Sequence, residues 1–520
     1  MKKLVLLTVL LTGIFQLSFG QQPRSIVLYG NDNLGNWSKG ITPAADTIRL
    51  NPTKGNNYSE GLWIENWVGT PSRHKVIIAD PALRGPAYLL GLHAQVFLRS
   101  CMYVDILGFG NKNQRGSSKI VINHATREFP FGPGYHGISI QGRSKCITIS
   151  GVEMYNVNQG IEFKQDPVCD SSMIYVRGRR NNFTMDSVII ENNIIVRTQA
   201  EGMYIGNTAP DNTRKEVWDD GTDSNFLKKS YQERITMCPF GWDPRRRNAA
   251  LKQDSMNFEP MRLGYVRIKN NYTDSTGRGG IQVAISDGKS MVEIAFNKVR
   301  HAGMMGYYDQ GTGISTGTYV NPYIHDNDIS QTLSEGIVTY GSSKVRIENN
   351  RVDSSGYLNF YKGGYYEKGW NFSSVNPGSC CNLLKDHRPN IKITSQLKKY
   401  DRTDSITAII KNNKLGANRS NVDEYYKGRK QPVKFGIWFE DYYQLFTIGK
   451  ASQVCENYTL SGQRIPYMKG DTLVYAIQVS TMGPSGSKAY RHPQIDPLIE
   501  VNECYDGKIP LKPAIKKPKL

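Results

Sequence analysis

The chain has 520 residues, 50 of them Gly and 24 Pro, with 39% hydrophobic residues, 30 Tyr and a formal charge of +19. Aromatic and β-branched residues recur in short patterned runs, which excludes an intrinsically disordered chain. After the N-terminus no apolar stretch approaches the roughly 20 residues of a membrane-spanning helix, and no recognisable nucleic-acid module accompanies the basic charge, so nucleic acid is not an expected partner.

Residues 1–20 read as an export signal. Lys2 and Lys3 supply the charged start, Leu4 to Leu17 the apolar run, and Ser18-Phe19-Gly20 a small-x-small cleavage site. The mature chain is therefore expected to be secreted, extracellular or periplasmic, where disulfides are allowed. Its eight Cys include the adjacent Cys380 and Cys381 but no CxxC pair, so structural bridges or buried thiols are favoured over a zinc site.

A repeat organises the middle of the chain. Segments such as KCITISGVEMYNVNQGIEFK (145–164), DSVIIENNIIVRTQAEGMYIGN (186–207), GYVRIKNNYTDSTGRGGIQVAIS (264–286) and YIHDNDISQTLSEGIVTYG (323–341) share one plan. Each has an alternating strand, Asn or Asn-Asn, a second strand, a polar turn, then Gly and a third strand. Asn193 to Gly202, Asn271 to Gly280 and Asn327 to Gly336 are each nine residues, and Asn327 to Asn350 is a full period of 23. Hairpins of a β-sandwich would return every 8 to 12 residues or so. Three short strands per turn instead describe a solenoid coil, which buries its inward residues only when neighbours stack above and below it. Asn at the fixed corner tolerates the left-handed backbone and can ladder its amide from coil to coil. Gly before the third strand is expected to meet a similar backbone need.

These residues resemble the right-handed parallel β-helix, or pectin-lyase-like, superfamily across roughly residues 90–440, most clearly at EGMYIG, GGIQV, SEGIVTYG and the repeated NN. The stretch ENWVGTPSRHKVIIADP (65–81) is similar to the opening coil of exported bacterial members. The resemblance implies an all-β, single-stranded solenoid that acts on or binds polysaccharide, and nothing finer. Polygalacturonase-type motifs are missing: HGISIQG (136–142) has a His-Gly, but no Asp-Asp pair precedes it on a strand. The expected organisation is a signal at 1–20, a cap with the first coils at 21–90, the β-helix at 91–445, and a closing segment with a Lys/Pro-rich tail at 446–520. Insertions are expected at 208–260, 301–312 and 357–404.

Insertions in a solenoid become loops on its outside, often on the binding side. The excursion at 208–260 holds the acidic run Asp219 to Asp223, which lacks EF-hand spacing; calcium is the metal it would suit, and a solvated acidic turn is the simpler reading. With the residue after Gly pointing inward, alternation puts Ser139, Gln141, Glu162, Lys164, Tyr204, Gln282, Ser315, Tyr340, Trp438 and Glu440 on one outer surface of the third strands. Glu201 and Glu335 sit just before their Gly, and Tyr307, Tyr308 and Asp309 lie in the adjoining excursion. The candidate catalytic set is Glu162, Lys164, Glu201, Asp309 and Glu335; the candidate substrate-binding set is Tyr204, Gln282, Tyr307, Tyr308, Tyr340, Trp438 and Glu440.

A hydrolase would need two carboxylates about 5 to 9.5 Å apart, for which Glu162 with Glu201, or Glu335 with Asp309, are the candidates. A lyase on a uronate polymer would need a base and nearby cations, for which Lys164, His136, His301, Tyr307 and Tyr308 are the candidates. A surface solenoid that binds glycans without cutting them would carry the same repeat. The expected partner is an anionic polysaccharide and the expected state a monomer. Residues 357–434 hold 15 Lys or Arg against 6 Asp or Glu, so the positive field is concentrated late in the chain.

Overall fold

The computed structural model describes residues 24–29, 42–51, 61–83, 85–90, 95–108, 120–124, 135–164, 184–206, 262–284, 286, 290–306, 310–317, 320–342, 344–356, 388–395, 407–418, 422–426, 429–433, 436–441, 453–455, 457–461, 477–482 and 488–491. Among the described residues the strands wind into sheets of 12, 10 and 12 strands, each taking one strand from successive coils and parallel throughout except at the last strand of the third. In the coil at 145–164, for example, Lys145–Ser150 lies in the first sheet, Val152–Val157 in the second and Ile161–Lys164 in the third.

Inward positions repeat the same residue type. Ile48, Ile77, Ile106, Ile149, Ile190, Ile268, Ile294, Ile324, Ile347 and Ile410 succeed one another across the first sheet, all fully buried. Each such side chain contributes roughly 1.5–3 kcal/mol of burial. None of it is available to an isolated coil, because the covering atoms belong to the coils above and below.

The corner between the first and second sheets divides between two adjacent residues the tasks expected of one Asn. The first takes the left-handed backbone: Asn192, Asn270, Phe296, Asp326, Asn349 and Asn412 all have φ between 53° and 59°. The second carries the ladder. Asn271 Oδ1 accepts from the backbone N and the Nδ2 of Asn193, each at 3.0 Å. Asn271 Nδ2 in turn donates to Asn297 Oδ1 at 2.9 Å and back to the Ile190 carbonyl at 2.9 Å. The pattern continues through Asn327, Asn350, Asn413 and Asn457. At the coil before the ladder begins, Gly151 takes the left-handed position with φ 69° and the Val152 N–H donates to Asn193 Oδ1.

The glycine that opens the third strand has a different cause from the one expected. Gly202 is not among the residues with positive φ; a Cβ there would lie 2.5 Å from the Gly280 carbonyl oxygen of the next coil. Close stacking of coils, not backbone chirality, excludes a side chain at this point.

Two boundaries differ from the sequence reading. Ile391–Ser395, inside the expected insertion 357–404, is a strand of the third sheet paired with Ile337–Tyr340 and Ile437–Asp441. It is hard to recognise because Asn390 stands where other coils place Gly, and because it completes a coil begun some 45 residues earlier at Lys344. The stack also runs past residue 445: Gln453–Cys455 joins the first sheet and Ile477–Met482 the third. Lys488–Arg491 then pairs antiparallel with that last strand. Among the cysteines whose side chains are described, Cys101 and Cys146 are free, and burial pushes the Cys101 thiol up to about 11.

Replacing Asn297 by Ala would strand the amide of Asn271 and its backbone N–H on one side and the Asn327 carbonyl side of the ladder on the other. Asn297→Ala is expected to destabilise the fold by about 2–4 kcal/mol, read as a lower urea midpoint at unchanged slope. Gly202→Ala is expected to do at least as much harm, whereas Asn349→Gly, at a left-handed position outside the ladder, is expected to change stability by less than about 1 kcal/mol.

Candidate functional site

Outward side chains of a solenoid ordinarily stand in water, and on the first two sheets they do so largely as charge pairs. Arg267 meets Glu191 at 3.1 Å on the first sheet, and Arg351 meets Asp328 at 3.1 Å on the second. All four are between a quarter and a half exposed. Pairs of that kind contribute little.

The third sheet is different. Its register lines up Ser139, Glu162, Tyr204, Gln282, Ser315, Val338, Lys392 and Trp438, one per coil. Ser139 and Val338 are completely buried, Trp438 is 2% exposed, Tyr204 and Ser315 6% and Glu162 7%. An outward row that is both polar and buried marks the candidate site, because buried polar groups are costly unless partnered.

Three carboxylates anchor it, and all three were candidates from sequence. Glu162 Oε2 accepts from Ser139 Oγ at 2.8 Å and from Gln141 Nε2 at 3.5 Å, with His136 Nε2 at 3.4 Å. The Nδ1 of His136 is buried with no hydrogen-bond partner among the described residues. Lys164, two residues beyond Glu162, places its ammonium 5.2 Å from the centre of the Tyr204 ring. Glu201 accepts from Gln159 Nε2 at 3.0 Å and lies 3.6 Å from Arg278 Nη1. Glu335 accepts from Ser334 and Arg388, and Lys392 Nζ lies 3.6 Å from its Oε1. Lys392 also stands 5.0 Å from the centre of the Trp438 ring.

The other candidates are distributed as follows. Gln282 and Tyr340 are half-buried on the same face. Glu440 falls in the strand Ile437–Asp441, with its side chain outside the described residues. Tyr307, Tyr308, Asp309 and the acidic run at 219–223 also lie outside them. Among the described residues no group of three or more His, Cys, Asp or Glu gathers as a metal site. His301 is on the second sheet, where its Nδ1 meets Asp274 Oδ1 at 2.8 Å.

Sequence reasoning passed over Arg278, Arg388, Lys392 and Thr394. A signal for the two arginines exists: each stands two residues before the corner residue that opens a third strand, Gly280 or Asn390, and each reaches the Glu that precedes the corner Gly one coil earlier.

Comparison with family models agrees with this architecture. Residues 261–376 match the family model described as right handed beta helix region. Among solved structures, a periplasmic alginate epimerase is similar at 12% identity, covering 85% of this chain and 75% of that one with a TM-score of 0.34. The catalytic domain of a GH87 α-1,3-glucanase is similar at 10% identity, covering 90% and 68%, TM-score 0.38. The A-module of a mannuronan C-5 epimerase from Azotobacter vinelandii is similar at 10% identity, covering 84% and 91%, TM-score 0.30. A comparison with curated protein sequences gives no match.

The Asp274–His301 pair yields a pH prediction. Burial alone would raise the Asp274 carboxyl, but hydrogen bonds from Tyr272 at 2.6 Å and from His301 outweigh it and hold the group below its ordinary 3.8. A carboxyl with a lowered folded value stabilises the fold fully above the unfolded value and loses that contribution as pH falls through the folded one. Thermal melts of Asp274→Asn should therefore fall below wild type at neutral pH and converge on it as pH falls past the ordinary 3.8 and through the lowered folded value.

Proposed function

We propose that this right-handed parallel β-helix protein is an exported enzyme that cleaves an acidic, uronate-containing polysaccharide laid across the third sheet, by elimination. The observation that carries the reading is the buried outward row, with a histidine and a carboxylate in contact and a lysine beside them.

In that reading Glu162, which can only accept when ionised, orients the imidazole of His136, and His136 is the base that takes a proton. The proton removed is the one on the carbon next to the substrate's carboxylate. The electron pair released forms a carbon–carbon double bond as the glycosidic C–O bond breaks, and the departing oxygen takes a proton from water. Lys164 neutralises charge developing on the substrate carboxylate. The 3.4 Å contact of His136 with Glu162 is of the loose kind that tightens when substrate is bound.

Elimination is favoured over hydrolysis by the register. Glu162 pairs with Tyr204, and Glu201 stands three residues before Tyr204, so their backbone positions are offset by about 10 Å along the chain in addition to one coil spacing of about 4.8 Å. That offset argues against these two as the carboxylate pair of a hydrolase.

The test is incubation of the full chain with uronate and neutral glycans, with and without calcium, following ultraviolet absorbance of unsaturated ends together with reducing sugar. Both signals should appear on a polyuronate. His136→Gln is expected to lower kcat about 100-fold or more and Glu162→Gln about tenfold. Reducing ends without unsaturation would replace elimination by hydrolysis. Retention on a glycan column without either signal would leave a binding protein instead.

A further inference from the structure

The outward row carries a second polar centre far from His136 and Glu162. Five coil steps separate the strand Ile161–Lys164 from the strand Ile391–Ser395, or about 24 Å at the spacing of stacked strands. There two cations, Arg388 and Lys392, converge on one oxygen of Glu335. The side chains of Arg388, Lys392 and Glu335 are 7%, 12% and 3% exposed.

Stability alone gives no reason for these charges. Desolvating an ion cluster costs several kcal/mol per ion, and apolar replacements are often as stable. The same row accepts an apolar residue one coil earlier, where Val338, the register partner of Lys392, is completely buried.

A second observation is independent of the ions. Ile391 and Ile393 point into the core, so alternation puts Thr394 outward beside Lys392. Thr394 is 1% exposed, and its Oγ1 has no hydrogen-bond partner among the described residues. A buried hydroxyl without a partner is costly, and a bound ligand would offset that cost by bonding to it.

We propose that Arg388, Lys392 and Thr394 form a remote subsite for a carboxylate-bearing sugar residue of the same polymer, with Glu335 holding the two cations in position. The assignment rests on the third sheet being a polysaccharide site. It adds that the protein reads charge about five coils from the bond it acts on, so it prefers long polyuronates. Binding energy gathered remotely then serves the reacting centre.

The deciding measurement is affinity of the full chain for a polyuronate, a sulfated polysaccharide and a neutral glycan across a salt series. Lys392→Gln should weaken polyuronate binding about tenfold and flatten its salt dependence, with Lys392→Arg restoring both. Thr394→Val should lower affinity several-fold while leaving the melting temperature equal to or above wild type, a combination that a purely structural hydroxyl would not give. It also serves where Lys392→Gln fails to fold. On the cleavage reaction both variants should lower kcat/KM more for polymer than for oligomers too short to span the row.

Unchanged polyuronate affinity in folded Lys392→Gln or Thr394→Val overturns the subsite. So does wild-type binding that prefers the sulfated or the neutral polymer. Polyuronate binding that depends on Lys392 without any cleavage would uphold the subsite and sink the enzyme reading, so the two failures are distinguishable.

Discussion

The side-chain amide ladder at the first corner is the interaction on which the remaining geometry depends. Each Asn in it accepts from the coil below and donates to the coils on both sides, so buried amide and backbone groups at that corner are satisfied together. A coil shifted by one residue would lose these bonds and turn its isoleucines outward. The ladder therefore fixes register for all three sheets, although it occupies only one corner.

Register is what assembles the third-sheet row. Glu162 and Lys392 are 230 residues apart in the chain, yet both occupy the outward position of the same sheet because every coil between them returns to the same phase. Insertions between coils do not disturb it, since lengthening a loop at a corner costs little closure entropy. A solenoid can thus change its loops freely while keeping a straight line of side chains.

That line is enclosed over successive coils, whereas on the other two faces an enclosed group such as Glu348 meets a partly exposed partner, Arg346. On the second sheet Asp328 lies between Arg300 and Arg351, and these partly exposed groups form a solvated ladder. There the carboxyl falls below its ordinary value because the hydrogen bonds from Arg300 and Arg351 outweigh its burial. On the third sheet the charges are enclosed: Glu201 and Glu335 are each 3% exposed and are met by arginines from the following coil. Enclosed charges interact more strongly and forgive misplacement less.

The repeat, the parallel solenoid and the placement of Glu162, Glu201 and Glu335 on or just before the third strands were legible from spacing, because period and alternation are local consequences of the pleat and of the corner. The cause of the corner glycine was not, since contact with the Gly280 carbonyl exists only once Gly202 is stacked against it. Nor was the division of the Asn-Asn pair into a left-handed residue and a ladder residue, which depends on where the neighbouring coil presents its amide. Strand Ile391–Ser395 escaped because Asn390 replaces the usual Gly and a long insertion precedes it. Alternation along each strand dictates which residues face in and which face out; stacking selects which outward residues, drawn from coils far apart in the chain, become one buried row, because burial and cross-coil partners belong to no single coil.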